Sequence, residues 1–195
     1  MISRLSLLAL VFSMTAFAQP SIHYTLGMSR PSSHFLEVEV RVTGLPSSER
    51  TADFAIPAWR TGRYVIFDFS GGVVEVAASD GSGGALPVEK TDKQTWRVAK
   101  GWSTTVLVRY RVYANEFNMR TRGLNDEHAF VDPASVFMYV PSLQSRPLTI
   151  EVKPYGSWKV TTGLDPVAGR PHVFSAPSYE YFADCPIEVG NQKEF

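Results

Sequence analysis

The chain of 195 residues contains a single cysteine, Cys185. No internal disulfide can form, so the core must hold by burial alone. A lone cysteine reads more simply as a small buried residue than as a nucleophile. Charge of one sign is not in excess either, since 19 Lys and Arg balance 19 Asp and Glu. Nucleic-acid binding by counterion release needs a basic surplus and is excluded, and the balance gives no support to a polybasic membrane-surface protein. There is no His-Glu-x-x-His, no Gly-x-Ser-x-Gly and no phosphate-binding glycine loop, so no motif nominates a zincin site, a nucleophile elbow or a nucleotide site. The four histidines, His23, His34, His128 and His172, are scattered. After the N-terminus no apolar run approaches the ~18 residues of a membrane helix.

That N-terminus has its own character. Arg4 precedes the short apolar stretch Leu5 to Met14, and Ala16-Phe17-Ala18 forms a small-residue cleavage site before Gln19. Residues 1–18 therefore read as a secretory signal peptide, which predicts export to the periplasm or the exterior and no membrane span after cleavage. An uncleaved N-terminal anchor is the alternative.

What is present is apolar and aromatic. Apolar residues make up 44% of the chain, and 12 Phe, 8 Tyr and 4 Trp offer large areas for burial. Leu36, Val38, Val40 and Val42 alternate with Glu37, Glu39 and Arg41, the period of a half-buried strand. Val106, Val108, Tyr110 and Val112 repeat the pattern with Arg109 and Arg111 opposite. Further strands are predicted at 53–56, 64–69, 73–78, 95–98, 136–140, 148–153, 158–161 and 173–176. Asp80-Gly81-Ser82-Gly83-Gly84 is a hairpin tip. The stretch 114–132 lacks strand pattern and is predicted as a loop with a short helical turn. Many short strands separated by turns predict an all-β fold, an antiparallel β-sandwich, as a single domain over 19–195.

Two clusters could carry chemistry. In the first, Ile56 to Tyr64, a Pro, a Gly, Trp59 and the cations Arg60 and Arg63 form a stiff corner. It is read as a structural corner in which Trp59 plugs the sandwich and Gly62 takes an unusual φ. The alternative is a recognition surface, for which Arg60 and Arg63, with Trp59 and Tyr64, are the candidates because Trp, Tyr and Arg dominate binding hot spots. The second, Asn115 to Asp132, holds Glu116, Arg120, Arg122, Asp126, Glu127, His128 and Asp132. It reads as a loop whose carboxylates pair with Arg120 and Arg122. Asp126, His128 and Asp132 are possible metal ligands, without a recognised spacing. Glu116 is the candidate binder of a positive group, against the simpler reading of a solvated rim charge.

These stretches resemble the N-terminal domain of the glycyl aminopeptidase family of zinc metallopeptidases, peptidase family M61. Ile22-His23-Tyr24 and His34-Phe35-Leu36-Glu37-Val38 resemble its opening strands. Ile56 to Tyr64 resembles its Pro-x-Trp-Arg-Pro-Gly-x-Tyr corner, and Lys90 to Trp96 its Lys-x-Asp-Lys-x-Thr-Trp segment. Tyr110 to Glu116, Arg120-Thr121-Arg122, His128-Ala129-Phe130, Ser175 to Tyr179 and Asp184 to Gly190 follow in the family's order. Thr61 stands where the family usually has Pro, and Cys185 where Ser is common. The resemblance implies a non-catalytic β domain that packs on a zinc-bearing catalytic domain and helps wall a peptide cleft. No zinc ligand can be carried over, so no cofactor is expected in this chain. Zinc is implied for a catalytic domain that the chain lacks, whose partners would be this domain and a peptide substrate. By analogy with aminopeptidase N-like enzymes, Glu116 would hold the substrate's free amine. A free-standing periplasmic peptide- or protein-binding module is the rival.

Overall fold

A computed structural model describes residues 19–59, 65–117 and 121–192. The signal-like segment 1–18 and the corner residues Arg60, Arg63 and Tyr64 lie outside them. Along the chain run β1 (Ser21–Gly27), β2 (Phe35–Thr43), β3 (Thr51–Ala55), β4 (Val73–Asp80), β5 (Ala85–Leu86), β6 (Val88–Lys90), β7 (Thr95–Ala99), β8 (Val106–Tyr113), β9 (Arg122–Leu124) and β10 (His128–Val131). The helix α1 (Pro133–Val136) follows. Then come β11 (Leu148–Lys153), β12 (Lys159–Thr162), β13 (Asp165–Pro166), β14 (Val173–Ala176), the helix α2 (Tyr179–Ala183) and β15 (Ile187–Gly190).

The largest sheet has the order β13-β14-β11-β1-β2-β8-β4-β5; a second has β12-β15-β10-β9 and a third β3-β7-β6. The fold is all-β, with several antiparallel sheets, as the alternation predicts. One pairing departs from antiparallel: β1 runs parallel to β11, with Tyr24 opposite Ile150. In β2, Leu36, Val38, Val40 and Val42 are buried while the residues between them are part-exposed. Its neighbour β8 presents Arg109 opposite Glu39, and the Arg109 guanidinium donates to the Glu39 carboxylate at 2.7 Å. Thus one face of the pair is core and the other a ladder of ion pairs.

Three predicted elements are corrected. The segment 136–140 is not a strand. Val136 ends α1, and Phe137, Met138 and Val140 are buried with only a single bridge, Tyr139 to Ala55. An unbroken apolar run says that a segment is buried but not what its backbone does. Here tyrosine hydroxyls do the bonding: Tyr24 donates to the Met138 carbonyl at 2.9 Å, Tyr110 to Val136 at 2.9 Å and Tyr179 to Phe137 at 2.7 Å. Burial pushes all three phenols to higher pKa, so they remain donors. Residues 65–68 are not strand, and Phe69–Gly72 is a 3₁₀ turn. The stretch 114–132 holds β9 and β10 rather than a loop with a helical turn. Arg122, Gly123 and Leu124 are all buried, so no alternation betrays β9.

Candidate functional site

Two clefts take lining residues from the 114–140 segment. The first, about 410 Å³, is lined by Glu116, Asn115, Tyr113, Phe67, Phe69 and Asp68, with Arg122 among its lining residues. Glu116 sits just beyond the end of β8, and its backbone is fixed on both sides. Its N–H donates to the Arg122 carbonyl at 3.1 Å, and Thr121 Oγ1 donates to the Glu116 carbonyl at 3.0 Å. Next to it, Phe117 lies on Gly123, where an added Cβ would stand 2.5 Å from Phe117 Cδ1. Any larger residue at 123 would lift the ring. The Phe117 ring also meets His128, with centroids 4.8 Å apart.

Arg122 anchors this cleft. It is 8% exposed. Its Nε donates to the Tyr113 carbonyl at 3.0 Å, Nη1 to Ser135 at 2.8 Å and Nη2 to Phe69 at 3.2 Å. One guanidinium thereby ties β8, α1 and the 69–72 turn together. A Cβ on Gly72 would overlap Nη2, so glycine is required for the approach. Burial lowers the Arg122 pKa, opposed by the carboxylates of Glu116, Asp132 and Asp68. The expectation that Arg122 serves a carboxylate pair is thus replaced by a buried cation bonded to three backbone carbonyls. Arg120 lies outside the described residues.

The rim carries two carboxylates in different states. Asp68 pairs with Lys93 at 3.0 Å and accepts from Ser70 Oγ at 3.1 Å; the Lys93 ammonium chiefly holds its pKa below the usual carboxylate range. Glu116 is exposed and forms no ion pair among the described residues. Beside it Phe67 and Phe69 stack with centroids 4.9 Å apart. An exposed carboxylate beside aromatic faces can hold an ammonium group. Asp68, Phe67 and Phe69 escaped the sequence reading because they fall in a stretch predicted as a strand.

The second cleft, about 500 Å³, is lined by Trp59, Tyr139, Tyr179, Glu180 and Asp184 among others, with Ala134 of α1. Trp59 is 54% exposed. It is therefore not a core plug, and that reading of the corner is corrected. The Phe67 N–H donates to the Ala58 carbonyl at 2.7 Å, tying a residue of the first cleft to the chain beside Trp59.

The remaining candidates are dispersed. His128 begins β10 and Asp132 follows its end, which sets their backbones about 13 Å apart along the strand. They cannot share one metal ion with Asp126. Among the described residues no group of three or more His, Cys, Asp or Glu is arranged to hold a metal. His34 Nδ1 donates to the Leu124 carbonyl at 2.5 Å, and His23 Nδ1 bonds Thr149 Oγ1 at 2.8 Å. Burial pushes the Cys185 thiol up, the opposite of what a nucleophile requires.

The chain belongs to the Peptidase M61 N-terminal domain family, whose model matches residues 23–191. It is also similar to the crystal structure of an aminopeptidase N family protein from Idiomarina loihiensis, with a TM-score of 0.79 and 26% identity; the match covers 87% of this chain. The chain spans only 29% of that protein's chain. No curated protein matches it. No described helix is long and apolar enough to cross a membrane.

Proposed function

We propose that this chain is the β domain of an exported zinc metallopeptidase of aminopeptidase type, where it helps wall the peptide cleft and anchors the substrate's free amine through Glu116. In this reading zinc and the groups that cleave the peptide belong to a separate catalytic domain. The described residues of this chain do not fit a zinc site, and no step is assigned to the metal here. The observation that carries the reading is the first cleft. It presents a carboxylate on a backbone fixed by Arg122 and Thr121, beside two stacked phenyl rings, in a domain of a peptidase family.

An α-ammonium held at Glu116 would gain a charge-assisted hydrogen bond and, against the part-exposed Phe67, a cation–π contact. Val65, 58% exposed, and Ile66, 80% exposed, follow the Arg60 to Tyr64 segment. These side chains offer an apolar face on which a catalytic domain could dock. Arg60, Arg63 and Tyr64, with Trp59, are the residues this reading assigns to substrate binding. The signal-like residues 1–18 support export.

The test is a titration of the chain with glycyl-alanine amide and with its N-acetylated counterpart. The free amine should bind more tightly, and Glu116→Gln should weaken it about tenfold while leaving the acetylated peptide unchanged. Equal binding of the two peptides, or a Glu116→Gln variant that binds as the wild type does, would refute the amine anchor.

A further inference from the structure

We propose that the Trp59 cleft is a binding site for a peptide segment presenting an arginine or lysine side chain. Its wall is aromatic. The Trp59 indole is more than half exposed, and the Tyr139 and Tyr179 rings stack beyond it with centroids 4.8 Å apart. The Tyr179 ring is held in place, because its hydroxyl donates to the Phe137 carbonyl at 2.7 Å and its N–H donates to the Gln144 carbonyl at 2.8 Å.

The rim of the cleft is acidic. Ser178 caps α2, its Oγ accepting the Tyr181 N–H at 3.2 Å. That cap fixes the turn from which Glu180 and Asp184 project, four residues apart and so on one side. Both line the cleft, and among the described residues no Lys or Arg does. Neither carboxylate forms an ion pair among the described residues. The sheet surface is different. Glu39 is matched by Arg109, Asp53 by Arg97 and Glu75 by Arg111. Among the described residues the two carboxylates of the cleft have no counter-charge beside the open indole face.

A planar π-face next to two anionic groups suits a guanidinium or an ammonium on an apolar stem. The stem would lie on Trp59 and the head would meet Glu180 and Asp184. An anionic ligand would be repelled, and a purely aliphatic one would leave the carboxylates without a partner. Gln144 lines the same wall and offers an amide to the backbone of the bound segment. The site uses none of the residues of the Glu116 cleft, so it stands or falls separately from the amine anchor.

The experiment titrates the isotopically labelled full chain with acetyl-Ala-Arg-Ala-amide, capped so that no free amine is offered to Glu116. The indole N–H resonance of Trp59, assigned by its loss in Trp59→Phe, should shift on titration. The double variant Glu180→Gln, Asp184→Asn should weaken binding about tenfold, and Glu116→Gln should leave it unchanged. Affinity should fall as salt is raised from about 0.05 M to about 0.5 M, because exposed charges are screened. Acetyl-Ala-Ala-Ala-amide should leave the Trp59 resonance where it is. Unmoved resonances elsewhere in the spectra of the variants show that they fold. An unmoved Trp59 resonance, equal binding of the alanine peptide, or an unaffected double variant overturns the proposal. So does a Trp59 resonance that shifts with protein concentration alone, which would make the occupant a second copy of the chain.

Discussion

Between β2 and β8 each backbone is satisfied by its neighbour, from Phe35 opposite Tyr113 to Val42 opposite Val106. Between 114 and 140 side chains take over much of that work. Arg122 bonds three carbonyls, Tyr110 both donates to Val136 and accepts from the Met138 N–H at 2.8 Å, and Ser135 Oγ donates to Asp132 at 2.8 Å. Where the ladder satisfies the backbone, side chains are free to sort into a buried face and a charged face. Where side chains do it, the chain leaves the sheet and clefts open beside it. Both clefts touch this second kind of region, one at Arg122 and the other at Ala134 of α1.

The comparison breaks most readily at Arg122. Arg122→Met removes a donor set from three carbonyls and should destabilise the fold by about 3–5 kcal/mol, as loss of one partner from a buried charged network does. Urea unfolding followed by circular dichroism measures it. A loss below about 1 kcal/mol would place the 114–140 segment on the same footing as the sheet surface. At the other end stands Arg109, whose 2.7 Å pair with Glu39 is on an exposed face, its side chain 60% accessible. Arg109→Ala should cost no more than about 1 kcal/mol in the same assay, since water and salt screen the pair. A larger cost would mean that the charged ladder, and not the ladder of backbone bonds, holds β2 to β8.

The same division explains what could be read from sequence. The β2 and β8 strands were legible because a one-sided burial prints a period of two. The hairpin tip at Asp80 was legible because its glycines admit the turn: Gly83 has φ +91°, and Asp80 Oδ1 accepts from the Ser82 and Gly84 N–H groups. The strands β9 and β10 were not legible, being short and buried without alternation in β9. The 136–140 run announced burial and concealed its partners, because hydrogen bonds from Tyr24 and Tyr179 come from positions 114 and 42 residues away. Glu116 stood out in its charged stretch as a candidate partner for a positive group, and the resemblance to a family added the free amine as that group. Trp59 was misassigned because a tryptophan in a Pro-rich corner looks like packing, and exposure is decided by elements far along the chain. A signal for α2 was present in Ser178 followed by Glu180, but five residues are too few to show a helical stripe.

The account rests on this chain being a binding wall whose chemistry is supplied elsewhere. The direct measurement is the zinc content of the purified chain together with its release of nitroaniline from glycyl- and alanyl-p-nitroanilide. The account predicts zinc well below one ion per chain and no release above the buffer rate, with the free-amine peptide still bound. One zinc per chain accompanied by hydrolysis that a chelator abolishes would contradict it.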